Sequence, residues 1–250
     1  MMHDFALTRS SVVFMDLPVI FDLTMVERGL AMPYRWDDDY PARIGVMPRD
    51  GGDADVEWFD VEPCYVFHPM NAYDDGDSVV VDVCRHPTMF ARSTEGPNDG
   101  GTPTLDRWTI DRNAGKVHEE RLDERGNEFP RVNETLLMSQ HRYGYAVETV
   151  ISPTAFDTAR VLKHDLRAGT TEQHDFANGG RPGEFVFVAA AGASSEDDGY
   201  LMGYVYDPTR DSSDFVVLDA SNMGADPVAT VRLPQRVPYG FHGNWVPDTI

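Results

Sequence analysis

Leu105-Asp106-Arg107-Trp108-Thr109-Ile110 runs into Asp111-Arg112-Asn113-Ala114-Gly115 and continues as Lys116-Val117-His118-Glu119-Glu120-Arg121-Leu122. Two runs with β-branched and aromatic residues flank five residues of turn chemistry, the pattern of a hairpin. The design recurs twice. Residues 159–164 turn at 165–169 and return as 170–173, and residues 200–206 turn at 207–212 and return as 214–219. The turn aspartates Asp111, Asp165 and Asp207 stand 54 and 42 residues apart, near the roughly 40–50 residues of a four-stranded propeller blade. The pattern favours a β-propeller over a two-sheet sandwich, although irregular sandwiches also contain such hairpins.

Outward from these hairpins, residues 11–17 and 20–23 read as an opening strand broken at Pro18. Residues 43–48 and 56–61 read as a pair across a turn-rich segment, and 66–73 and 78–83 flank an acidic turn at 74–77. No stretch sustains an apolar period of 3.6, so little helix is expected and the fold class is all-β. Residues 95–101 and 178–183 have linker composition but fall between blade-like units, so both read as surface loops and residues 1–250 as one domain. A chain of this length supplies about four to five blades and leaves an open strand edge.

With 250 residues the chain can bury a substantial core. Its net charge of −21, with lysine only at Lys116 and Lys163, excludes nucleic acid as a natural partner, because such a surface repels phosphate backbones. The clusters Asp37-Asp38-Asp39, Asp74-Asp75-Gly76-Asp77 and Glu196-Asp197-Asp198 read as solvated loop faces, the second type also being able to bind Ca²⁺ weakly. A salt-rich cytoplasm or a GC-rich genome accounts equally for so many acids. Cys64 and Cys84 form no C-x-x-C pair, so neither a zinc site nor a disulfide framework is indicated and a reduced, cytoplasmic setting fits best. No run reaches the roughly 18–20 apolar residues of a membrane span.

Chemistry concentrates at the two ends. In Pro238-Tyr239-Gly240-Phe241-His242-Gly243-Asn244-Trp245 two glycines let the backbone bend closely around an imidazole, which Phe241 and Trp245 can bury and fix. That suits a metal ligand, although a lone histidine in a glycine-rich turn is more often an ordinary core residue. Met2-His3-Asp4-Phe5-Ala6 sets a second histidine before the first apolar run, so the chain begins and ends on a histidine at a strand edge.

Five segments in order resemble signatures of the carotenoid cleavage oxygenase family. They are Met2 to Thr8 (M-H-D-F-A-x-T), Phe67-His68-Pro69-Met70-Asn71-Ala72-Tyr73, Asn127-Glu128-Phe129-Pro130-Arg131-Val132-Asn133, Gly183-Glu184-Phe185-Val186-Phe187-Val188 with Glu196-Asp197-Asp198-Gly199-Tyr200-Leu201, and Gly240 to Trp245 (G-F-H-G-x-W). The resemblance implies a seven-bladed propeller with four histidines holding Fe(II) on its axis. Two of them map onto His3 and His242, and glutamates that orient such imidazoles map onto Glu128 and Glu184. The histidine of the first signature is third of four in the family and is residue 3 here, so an N-terminal half is expected to be missing, with the other two ligands.

The implied reaction is oxidative scission of a carbon–carbon double bond in a carotenoid, apocarotenoid or stilbene, adding O₂ to give two carbonyl products. The implied partners are an apolar polyene or stilbene and O₂, with no transmembrane segment and any peripheral membrane contact left to the missing half. The alternative is a non-catalytic, truncated propeller fragment serving as scaffold or binding module, since two ligands of four hold iron weakly. An upstream reading frame with two further histidines in strand contexts would separate the two, and a Ca²⁺-dependent hydrolytic propeller is a third reading resting on the acidic loops alone. Of the remaining histidines, His68 reads as a strand-edge hydrogen-bonding residue and His86 as a loop residue. His118, His164 and His174 read as belonging to polar outer hairpins, and His141 as entering an inner strand. Tyr143 or Phe129 is a candidate for the substrate tunnel.

Overall fold

A computed structural model describes residues 1–91, 100–152 and 155–247. The chain folds as two compact units. The first comprises Met1–Asn127, Leu137–Gln140 and Val150–Phe156, and the second Glu128–Leu136, His141–Thr149 and Asp157–Ile250. The expected loop at 95–101 falls largely outside the described residues.

The first unit opens with β1 (Ala6–Leu7), β2 (Ser11–Asp16) and β3 (Val19–Phe21), then the helix α1 (Leu23–Glu27) and β4 (Tyr34–Trp36), then β5 (Arg43–Pro48) and β6 (Glu57–Asp60). Strands β1, β2, β5 and β6 make one four-stranded sheet, and β3 with β4 a separate hairpin. Next come β7 (Tyr65–Asp75), β8 (Ser78–His86), β9 (Thr104–Asp111) and β10 (Lys116–Asp123), a second sheet in chain order. Their alternating apolar residues supply one core, in which Val13, Met15, Ile44, Val81, Trp108 and Ile110 are buried. The buried carboxylate of Asp82 takes a bidentate pair from Arg107 opposite it on β9, at 2.7 and 2.9 Å.

A third sheet orders β11 (Glu128–Val132), β12 (Tyr143–Ser152), β13 (Ala155–Asp165) and β14 (Thr170–Asp175). A fourth orders β15 (Arg181–Ala189), β16 (Gly199–Asp207), β17 (Ser212–Asp219) and β18 (Ala229–Arg232). In the second unit Tyr145, Val161, Phe185, Phe187, Leu201 and Leu218 form the core. The all-β expectation is borne out, with four four-stranded sheets among the described residues. A sheet of four strands joined in chain order is the unit from which propellers are built.

The three quoted hairpins form as expected, and each turn is held by its aspartate. Asp111 accepts the Ala114 amide at 2.8 Å, Asp165 those of Arg167 and Ala168 at 3.1 and 3.0 Å, and Asp207 that of Thr209 at 2.9 Å. Each turn closes on a left-handed residue, Gly115 (φ 65°), Gly169 (φ 66°) or Asp211 (φ 47°), and only glycine takes that conformation without strain. Two hairpins join the third and fourth strands of their sheets, whereas the one at Asp207 joins the second and third. The 42-residue interval therefore links turns that are not equivalent.

Some local expectations are corrected. Leu23 opens α1 rather than ending a strand, because Asp22 accepts the Thr24 amide at 2.9 Å and caps the helix. The loop expected at 178–183 ends early, since β15 already begins at Arg181.

One local feature recurs in the strands that open the second, third and fourth sheets. Strand β7 loses register on either side of Pro69, β11 between Glu128 and Arg131, and β15 between Pro182 and Phe185. Each irregularity contains or adjoins a proline: Pro69, Pro130 and Pro182. Proline has no amide hydrogen for the ladder, so it belongs at a bulge, and a bulge re-aims neighbouring groups. The residues re-aimed are Phe67 and His68, Glu128, and Glu184.

Candidate metal centre

His242 lies in the irregular tail that follows β18, and Glu184 in the β15 bulge. Glu184 Oε1 accepts from His242 Nδ1 at 3.1 Å, and its Oε2 accepts from the Gly243 amide at 2.8 Å and from Arg131 Nη2 at 2.8 Å. The Glu184 side chain is 5% exposed. Burial pushes its pKa upward, but Arg131, the Gly243 amide and His242 outweigh that and hold the carboxyl below its ordinary value. An ionised carboxylate can only accept, so His242 donates through Nδ1 and a neutral ring carries its lone pair on Nε2.

The Phe129 ring stands edge-on to His242, with centroids 6.0 Å apart. Phe129 has φ 52°, a backbone that the β11 bulge imposes on a buried aromatic residue. Phe241 and Trp245, expected to bury the imidazole, are instead 76% and 52% exposed. They line a cleft of about 380 Å³ between the tail and the β15–β16–β17 face, with Glu184, Met202, Tyr204 and Phe215.

In the first unit, His3 precedes β1 by three residues and is not on a strand edge. Its Nδ1 lies 3.1 Å from the carbonyl oxygen of Phe67, an acceptor, so His3 also donates through Nδ1 and carries its lone pair on Nε2 when neutral. Phe67 and His68 both pack edge-on to the ring, at 5.2 and 5.1 Å between centroids. The segment is tied down at Thr8, whose Oγ1 donates to Asp74 at 2.8 Å, and at Ser10, whose Oγ donates to the same carboxylate at 2.7 Å.

Glu128 is 3% exposed, and its Oε2 accepts the Phe129 amide at 3.0 Å. It belongs to the second unit, as do Glu184 and His242, whereas His3 belongs to the first. His86 is not a loop residue: it ends β8, buried, with its ring edge-on to Phe67 at 5.3 Å. His164 and His174 lie on β13 and β14 but are buried, facing Thr171 Oγ1 and the Met223 carbonyl, both at 3.0 Å. His118 is exposed on β10, and His141 is buried just ahead of β12 rather than on it.

Glu196-Asp197-Asp198 is no solvated face. Glu196 accepts the Arg142 and Tyr143 amides at 2.8 and 2.7 Å, and Asp197 accepts from the buried Lys163 at 2.7 Å. Tyr143 is accordingly held between cations, with Arg142 and Lys163 at 4.7 and 4.4 Å from its ring. The residue that sequence reasoning missed is Arg131, which lies inside a quoted signature but was given no role. The signal in the sequence is an arginine three residues past a glutamate, directly after a proline.

Among the described residues there is no group of three or more His, Cys, Asp or Glu able to hold a metal ion. The donor chemistry of His3 and of His242, each taken by itself, nevertheless fits a borderline ion such as Fe(II), since each ring is oriented from Nδ1 by an oxygen acceptor and carries its lone pair on Nε2 when neutral. Cys64 and Cys84 are buried, and burial pushes the Cys64 thiol up to about 12. No described helix is long and apolar enough to cross a membrane.

The family model for RPE65, retinal pigment epithelial membrane protein, matches residues 1–247. A carotenoid cleavage oxygenase of Mycobacterium tuberculosis is 40% identical, the alignment covering 100% of this chain and 58% of that protein. A carotenoid 9,10(9',10')-cleavage dioxygenase of Crocus sativus is 35% identical over 98% of this chain and 48% of its own length. Among solved structures, cobalt-substituted Synechocystis ACO matches with a TM-score of 0.88 at 30% identity, over 98% of this chain and 53% of that one. The chain spans about half the length of the curated relatives it matches.

Proposed function

The chain belongs to the RPE65, or carotenoid cleavage oxygenase, family, and from that premise we propose that it is part of a non-haem Fe(II) dioxygenase. The substrate class proposed is a carotenoid, apocarotenoid or stilbene, cleaved at a carbon–carbon double bond by O₂ to give two carbonyl products. The observation that carries the proposal is the Glu184–His242 pair at 3.1 Å, a carboxylate that holds an imidazole with Nε2 available as ligand atom.

His242 and His3 would hold the iron, supplying two of the four imidazoles that the resemblance implies. Bound iron would supply the activation of O₂. The chain's own part is orientation: Glu184 sets the His242 ring, the Phe67 carbonyl sets His3, and buried Phe129 adds an apolar wall beside His242. Residues 1–250 are proposed to form part of a single propeller domain. A reduced cytoplasmic setting is proposed from the burial of both cysteines, Cys64 and Cys84.

The test is to load the protein anaerobically with Fe(II), admit O₂ with a carotenoid and separately with a stilbene, and assay for paired aldehyde products. Products that depend on His242 and on added iron support the reading. Stoichiometric iron with no product, from a protein that also carries two further histidines encoded upstream, contradicts it. The second reading, a scaffold or binding module, predicts that neither iron nor O₂ consumption depends on His242.

A further inference from the structure

We infer that Arg131 is a positioning residue for His242, acting through Glu184 and the tail backbone. The inference rests on the reading of His242 as an iron ligand. Arg131 Nη2 donates to Glu184 Oε2 at 2.8 Å and to the Gly243 carbonyl at 2.6 Å, while Nη1 donates to Glu134 at 3.3 Å. The Gly243 amide donates to the same Glu184 oxygen at 2.8 Å. One guanidinium nitrogen thus links a strand of the third sheet to a carboxylate of the fourth and to the residue after the imidazole.

The tail needs such a link. Among the described residues it has no strand after β18, and its large side chains Tyr239, Phe241, Trp245 and Val246 are exposed. The two other donors to Glu184, His242 Nδ1 and the Gly243 amide, both lie on the tail itself, so they tie the tail to β15 but not to the third sheet. Arg131 adds that tie, because Arg131 and its neighbour Val132 are in register with Tyr145 and Gly144 on β12. A planar fork reaches a carboxylate and a carbonyl together, whereas an ammonium on a flexible stem is a point charge that holds neither direction well. Arg131 touches no reacting atom. Its effect is on which way the His242 ring faces and which nitrogen carries the proton.

The 250-residue chain labelled with ¹⁵N in its histidine rings tests this directly, with hydrogen exchange at the Gly243 amide as a second readout. In the unsubstituted chain His242 should show the Nδ1–H form alone. In R131M the Gly243 amide should exchange faster by about tenfold or more, the loss expected for a charge-assisted hydrogen bond, and the His242 ring should show both tautomers. R131K, keeping the charge and one bond, should fall between. R131M with unchanged exchange and a single Nδ1–H tautomer overturns the inference, and if R131M does not fold, R131K matching the unsubstituted chain in both readouts overturns it. Co(II) added to the unsubstituted chain separates the two claims. A His242 Nε2 signal indifferent to Co(II) overturns the ligand reading and Arg131's role toward a metal, whereas Co(II) at Nε2 with an unaltered R131M tail overturns the Arg131 inference alone.

Discussion

Glu184 and His242 are 58 residues apart in the chain, yet Oε1 of one meets Nδ1 of the other at 3.1 Å. The other Glu184 oxygen is shared by Arg131 and the Gly243 amide, so the carboxylate accepts on both sides. Replacing it with Gln keeps the shape and spoils the pattern, because an amide offers one acceptor and one donor where two acceptors are needed. E184Q should weaken Fe(II) binding by about 10- to 100-fold, the usual cost of losing a group that orients a ligand. Equilibrium dialysis under anaerobic conditions measures it, and unchanged affinity removes the role assigned to Glu184.

Asp197 gives the chain a defined acid sensitivity. Burial raises its pKa, but Lys163 outweighs burial and holds the carboxyl below its ordinary value. A carboxylate with a folded pKa below its unfolded one contributes stability that is fully present above the unfolded value, about 3.9, and is lost as pH falls through the folded value. D197N should therefore be less stable than the parent at pH 7 by about 2 kcal/mol, and the gap should narrow as pH is lowered below about 4. Urea unfolding at a series of pH values checks this, and a gap independent of pH would assign the loss to packing instead.

Gly203 on β16 lies opposite Phe185, directly beside the Glu184 bulge. A Cβ there would sit 2.5 Å from Phe185 Cδ2 and 2.7 Å from the Glu184 carbonyl oxygen, which backbone cannot yield cheaply. G203A should cost about 1–3 kcal/mol, as overpacking does, and should weaken metal binding together with stability. A variant as stable as the parent would show that β15 has more freedom than its pairing implies.

The three hairpins were legible because their signal is local: an aspartate that caps its own turn, a left-handed closing residue, and apolar alternation on either side. The short elements were not. Strand β18 is exposed at all four positions and carries no inward face to betray it, and α1 depends on the Asp22 cap more than on any apolar period. The candidate ligands His3 and His242 and the glutamates Glu128 and Glu184 are legible only through the signature matches, since no spacing in the chain links residue 184 to residue 242. What the signatures could not convey is the backbone. The bulges at Pro69, Pro130 and Pro182 are what turn the Phe67 carbonyl, Glu128 and Glu184 out of their ladders. The environment of His242 departs from the expectation for a related reason: aromatic residues near a glycine suggest burial, but on an irregular tail bordering a cleft Phe241 and Trp245 stay exposed.

The central claim is that His3 and His242 are the iron ligands contributed by this chain. Anaerobic titration of Fe(II) into the chain with ¹⁵N-labelled histidine rings, followed by paramagnetic broadening at each imidazole nitrogen, measures it most directly. All eight histidines report in one experiment. The expected result is that the Nε2 signals of His3 and His242 broaden at the lowest iron concentration, ahead of buried His86, His141, His164 and His174 and exposed His118, and that H242A weakens the broadening at His3 while leaving the buried rings unmoved. Broadening that begins at His118 or spreads evenly over all rings, with His3 and His242 no more sensitive than the rest, would contradict it.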